Sequence, residues 1–123
     1  MSTLAEAVLL RVFVGEDDRY DGRALYQAIV ARALKEKMAG ATVLPGPEGF
    51  GRSRYVRSEL SVDAGPRLPV VVEIVDSEEQ IDRFLPILRE MVDSGLVTME
   101  RVRAIHYRRR DVSREMDTPS PPT

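Results

Sequence analysis

Two runs of β-branched and large apolar residues, 8–14 and 70–76, constrain most strongly what this chain can fold into. Each reads as a strand, and each leads through a polar turn into an amphipathic helix. After the first run, Leu25, Ile29 and Ala33 repeat at helical spacing beside a second row of Tyr26, Val30 and Leu34. That periodicity predicts a helix over 22–39, with Lys35 and Lys37 near its C-terminal end and Gly40 as its stop. After the second run, Ser77 stands at a cap position with Gln80 three residues on. Ile81, Phe84, Leu85, Leu88, Met91 and Val92 form the apolar face that follows. Pro86 falls inside this helix, where its missing N–H predicts a kink, and Ser94-Gly95 is the expected end.

A short strand is expected at 41–44 and a last strand at roughly 101–107. The order is then strand, helix, strand, long loop, strand, helix, strand. This is the ferredoxin-like βαββαβ sandwich of the α+β class, a four-stranded antiparallel sheet with two helices on one face. The domain is expected to span 1–107. Residues 46–67, with four glycines and the arginines Arg52, Arg54 and Arg57, form its long loop, and 54–62 could pair there as a ribbon. The Pro-rich stretch 108–123 has no apolar period and reads as a disordered tail.

In this topology the two long apolar strands are central neighbours. Side-chain alternation puts Leu9, Arg11 and Phe13 on one face of the first, and Val71, Glu73 and Val75 on one face of the second. Arg11 and Glu73 are therefore expected close together on the helix-free face. Their neighbours are apolar, and a solvated sheet face would alternate with polar residues instead. Such a face asks for a cover, and self-association is the simplest one. The alternative is a surface ion pair with a few exposed apolar neighbours.

Composition excludes several classes of function. The chain has 123 residues, no Cys and one His, so disulfides, Cys-ligated zinc and thiol catalysis are unavailable. A net charge of −2 argues against nucleic acid as the main partner. The start lacks a basic, apolar leader, and no stretch reaches the roughly 18 apolar residues of a membrane span. No membrane insertion is expected, and the expected location is the cytoplasm.

Several separated motifs resemble those of PII signalling proteins. Gly40-Ala41-Thr42-Val43 resembles the entry to the second PII strand, Gly49-Phe50-Gly51-Arg52 the start of the T-loop, and 68–75 the strand after it. The pattern is more similar still to a PII-like family, the domain of unknown function numbered 190. It takes in 14–18, Gly22 with Leu25-Tyr26, 40–43, 49–51, 68–76 and 95–98, and covers about residues 8–107.

The resemblance implies a homotrimer that binds a small effector, an adenine nucleotide, in clefts between subunits. It implies no required cofactor and no catalysis. The T-loop-like segment 46–67 would change shape and dock on a target protein, such as a membrane transporter or an enzyme. Gly49, Gly51 and Arg52 would approach the phosphates, and Thr42 and Glu73 would lie near the base. Glycine suits close backbone approach to an anion, and arginine can grip phosphate with two bonds. His106 and Arg108 are further candidate ligand contacts.

One departure concerns 94–100. In PII proteins this stretch is a Gly- and Lys-rich phosphate loop, whereas here it has one Gly, no Lys and Glu100. The acidic turn 16–21 matches no calcium loop and reads as solvated. Two other classes share the fold. A phosphate-ester hydrolase of the acylphosphatase type needs a water-orienting Asn, and the chain contains none. A divalent-cation-binding trimer would have few soft ligands here.

Overall fold

A computed structural model of the chain describes residues 2–46, 48–49, 57–58 and 68–107. Strand β1 (Ser2–Gly15) is followed by a two-residue hairpin, β2 (Arg19–Tyr20) and β3 (Arg23–Ala24), and by helix α1 (Leu25–Lys35). Next come β4 (Thr42–Pro45), β5 (Glu48–Gly49), β6 (Arg57–Ser58), β7 (Pro69–Asp76), helix α2 (Glu78–Met91) and β8 (Leu96–Tyr107).

The four long strands form one antiparallel sheet in the order β4-β7-β1-β8, which places the two apolar runs side by side in the centre. This is the expected α+β, ferredoxin-like arrangement. Alternation along the central strands decides what is buried. Leu10 and Val12 of β1 and Val72 and Ile74 of β7 are fully buried. They pack with Ile29 of α1 and Ile81, Phe84 and Leu88 of α2 in a single cluster. Both helices therefore cover the same face of the sheet, and burial of this apolar surface is the main stabilising term.

Local chemistry explains where the elements begin and end. The first helix starts at Leu25, three residues later than its apolar period suggests. Asp21 (φ 52°) and Gly22 (φ 81°) both take left-handed backbone and close the β2–β3 hairpin instead. An Asp-Gly pair favours this geometry, and it outweighs the helical reading. Leu25 N–H then donates to the Asp18 carbonyl at 2.7 Å.

The same helix ends before Gly40. Lys37 adopts φ 61°, its N–H donates to Leu34 O, and Met38 N–H donates to Ala33 O, each at 3.0 Å. These are the paired bonds of a Schellman stop, formed here around a lysine. Leu34, expected in the apolar stripe, is 78% exposed, because its row lies at the margin of the buried face.

Helix α2 starts as expected, with Ser77 Oγ accepting from Gln80 N–H at 3.2 Å. It continues across Pro86 to Met91, with Val92 as its C-cap. Strand β8 begins at Leu96, well before the expected residue 101. A Cβ at Gly95 would stand 3.0 Å from the Phe13 carbonyl and 3.1 Å from Val92 Cγ1. Glycine there lets the chain come close to β1, and Leu96 pairs with Phe13 at once. The stretch 96–100, expected as a connection between the second helix and the last strand, is thus sheet from Leu96 onward.

Within the long connection, β5 pairs with β6, Glu48 opposite Ser58 and Gly49 opposite Arg57. The expectation of a ribbon over 54–62 is met only in part by this pairing. The remaining expectations for 46–67, and the tail 108–123, lie outside the described residues. Because lysine is strained at φ 61°, Lys37→Gly should raise the unfolding free energy by about 0.5–1 kcal/mol. Urea denaturation monitored by circular dichroism checks this.

Candidate functional site

The helix-free face of the sheet collects the odd-numbered residues of β1 and β7. Arg11 stands opposite Glu73 in register, and its Nε donates to Glu73 Oε2 at 2.9 Å. The pairing expected from alternation is therefore present. A third member was not anticipated. Arg11 Nη1 also donates to Glu100 Oε1 at 3.3 Å. Glu100 belongs to β8, which pairs with β1 on its other edge. Reading 94–100 as a loop concealed this contact.

The Glu73 hydrogen bond is the main cause of a guanidinium pKa above its already high ordinary value, with the Glu73 and Glu100 charges adding to it. Arg11 and Glu73 keep 38% and 26% of their side-chain surface exposed. Solvent screening makes a pair like this worth little in an isolated protomer.

Apolar side chains surround these charges. Phe13, Val75, Leu44 and Leu96 are exposed, and all four stand on the helix-free face by their register with β1 and β7. Among the described residues no element covers them. The face has the composition of a contact surface, with a charged triad at its middle.

At one end of this face, β1 and β8 run beyond the part of the sheet that β7 shares. A pocket of about 590 Å³ lies between this ribbon, the end of β7 and the connection from α1 to β4. Thr42, Glu73 and His106, three of the residues singled out in the sequence, line it together. Thr42 is opposite Glu73 across the β4–β7 pair, so both present to the same side of the sheet. Glu73 Oε2 is held by Arg11, and the hydroxyl of Thr42 has no hydrogen-bond partner among the described residues. A donor–acceptor pair of this kind can read the edge of a small polar molecule.

Gly49 lies in β5 and is not among the described residues that line this pocket. Gly51, Arg52 and Arg108 lie outside the described residues.

Sequence reasoning missed two acidic residues of the lining, Glu6 and Asp76. Asp76 builds the rim. Its Oδ2 accepts from Ala39 N–H at 2.8 Å, and its Oδ1 accepts from Ser77 N–H at 2.7 Å. One carboxylate thus ties the connection after α1 to the start of α2. The signal was available, since an acid just before a helix cap commonly accepts backbone N–H groups. Its bond to Ala39 was not, because it joins positions 37 residues apart. Among the described residues, no three His, Asp or Glu side chains converge as a metal site would need.

Solved structures share this architecture. A PII-like signalling protein of Thermus thermophilus superposes with a TM-score of 0.61 at 22% identity, covering 82% of this chain and 91% of that one. CPII, a nitrogen regulatory PII-like protein of Thiomonas intermedia K12 bound to ADP, AMP and bicarbonate, superposes with a TM-score of 0.57 at 12% identity. That match covers 83% of this chain and 91% of CPII. The fold is therefore PII-like.

At the sequence level, residues 7–104 match DUF190 (Uncharacterized ACR), and the chain belongs to that family. A UPF0166 protein of Aquifex aeolicus (strain VF5) is 38% identical over 98 residues, which is 80% of this chain and 92% of the relative. A UPF0166 protein of Methanocaldococcus jannaschii is 35% identical over 98 residues, 76% of this chain and 87% of the relative.

Replacing Asp76 by Ala leaves the Ala39 and Ser77 N–H groups without this acceptor. The expected cost is about 1–2 kcal/mol, with faster amide exchange at Ala39 and Ser77. Hydrogen exchange followed by NMR measures both effects.

Proposed function

We propose that this protein is a PII-like regulator rather than an enzyme, and that it binds an adenine nucleotide in a cleft completed by a neighbouring copy in a homotrimer. The observation that carries this reading is the position of the pocket. Thr42, Glu73 and His106 meet where the pocket opens beside an uncovered apolar sheet face. A second copy covering that face would hide Phe13, Leu44, Val75 and Leu96 from water. It would also take the Arg11–Glu73–Glu100 triad out of solvent, where hydrogen-bonded charges are held far more rigidly than at a surface.

In this reading the base of the nucleotide sits against Thr42 and Glu73. Gly49, Gly51 and Arg52 approach its phosphates, with His106 and Arg108 nearby. The ADP and AMP bound by CPII support an adenine nucleotide as the ligand class. The segment 46–67 is the signalling element, docking on a target protein such as a transporter or an enzyme in the cytoplasm. Its two ends are well placed to respond. Gly46 N–H donates to Pro69 O and Glu16 N–H to Leu68 O, both at 2.8 Å. Gly46 directly follows β4, the strand on which Thr42 lines the pocket. No cofactor is needed for this role.

Thermal melting against ATP, ADP, AMP, cyclic nucleotides, bicarbonate and divalent metals tests the reading. An adenine nucleotide at a hundred times its dissociation constant should add about 2.7 kcal/mol, a shift of several degrees. Arg52→Ala should abolish that shift. A shift with metals alone would favour the cation-binding reading, and turnover of a phosphate ester would favour the hydrolase.

A further inference from the structure

The helix side of the molecule carries a hollow of about 240 Å³ between the end of α1 and one face of α2. Glu36, Lys37 and Met38 line it after α1, and Gln80, Arg83, Phe84 and Ile87 line it from α2. The four α2 residues recur at helical spacing, so they share one face. Both helices cover the side of the sheet opposite Arg11 and Phe13. A copy seated on the helix-free face would therefore leave this hollow open, and its walls come from one chain.

The hollow is positive, although the chain as a whole has a net charge of −2. Lys37 and Arg83 make no hydrogen bond or ion pair through their side chains among the described residues. Glu36 is the one acid that lines the hollow among those residues, and its Oε2 already accepts from Arg32 Nε at 2.9 Å. Glu79 and Asp82, beside Gln80 and Arg83 in sequence, stay out of the lining. The side-chain amide of Gln80 adds a neutral donor. Buried Phe84, with half-buried Ile87 and Met38, gives the hollow an apolar floor.

The backbone at Lys37 is a second, independent observation. Its φ of 61° lies in the left-handed region, and a helix stop of this geometry usually carries glycine there. Glycine would make the same two stop bonds without the strain. Strained backbone of this kind collects at ligand sites, where it holds a side chain in the place a ligand needs it. The bonds from Lys37 N–H to Leu34 O and from Met38 N–H to Ala33 O fix the point from which the lysine side chain leaves the chain.

We propose that this hollow is a binding site, separate from the Thr42 pocket, for a small phosphate monoester with a compact apolar body. Such a phosphate carries about −1.5 to −2 at neutral pH, which the two cations match. Arg83 can hold two of its oxygens at once, and Lys37 supplies a point charge beside them. A single carboxylate would leave one cation unmatched. The apolar body rests on Met38, Phe84 and Ile87. The volume falls below the roughly 300–1,000 Å³ of drug-sized ligand sites, which favours a ligand smaller than a nucleotide.

NMR titration of the isotopically labelled full chain with phenyl phosphate, in phosphate-free buffer, tests this. Amide signals of 36–38 and 80–87 should move and saturate. Inorganic phosphate should bind about tenfold more weakly, for want of the apolar contact. Lys37→Gly and Arg83→Gln should each weaken phenyl phosphate by about tenfold. Lys37→Gly should at the same time raise the melting temperature, which separates loss of the site from loss of the fold. Lys35→Ala removes a neighbouring cation that does not line the hollow and should leave binding unchanged. No saturable movement of these signals up to about 10 mM phenyl phosphate would overturn the site. Equal binding of inorganic phosphate would overturn the ester as its ligand class. Unchanged binding in Lys37→Gly, or an equal loss in Lys35→Ala, would overturn the assignment by showing only diffuse surface charge.

Discussion

Strand β1 holds β7 along one edge and β8 along the other, and the rest of the molecule depends on its alternation. Leu10 and Val12 are locked under the two helices, so Arg11 and Phe13 must face the opposite way. A slip of one residue in either pairing would put Arg11 into the core and Leu10 on the surface. That cost fixes the register. The register in turn decides which residues of β7 and β8 meet Arg11, and it places Thr42, Glu73 and His106 around one pocket.

The outer face that results is an unusual one for a lone protomer. It combines exposed Phe13, Leu44, Val75 and Leu96 with a guanidinium shared between two carboxylates. Charges in the centre of an apolar contact surface add little affinity, but they penalise misaligned partners. The triad therefore suits a contact that must form in one orientation. A cleft assembled from two copies needs that kind of alignment, since its walls come from separate chains.

Much of this was legible in the sequence because period-two and period-3.6 patterns are local. Arg11 and Glu73 could be assigned to the same face from alternation alone, and the core positions of both helices followed from spacing except at Leu34, which is exposed. The misreadings came from residues whose roles depend on distant partners. Gly95 looked like a loop residue, yet its glycine is needed where the chain passes the Phe13 carbonyl. That hid Glu100 as a partner for Arg11. Asp21-Gly22 carried a hairpin signal that the neighbouring helical period obscured. Lys37 gave no sign of its left-handed backbone, because lysine rarely supplies it. Glu6 and Asp76 entered the pocket only once the β1–β8 ribbon and the α1–β4 connection were folded beside each other.

The central claim is that copies of the chain cover the helix-free face and complete the pocket between them. Sedimentation equilibrium of the full chain over a range of concentrations tests it most directly. The account predicts a particle with the mass of three 13.8 kDa chains. A particle with the mass of one chain at every concentration would contradict it, because the face carrying Phe13, Arg11 and Glu73 would then be open to water.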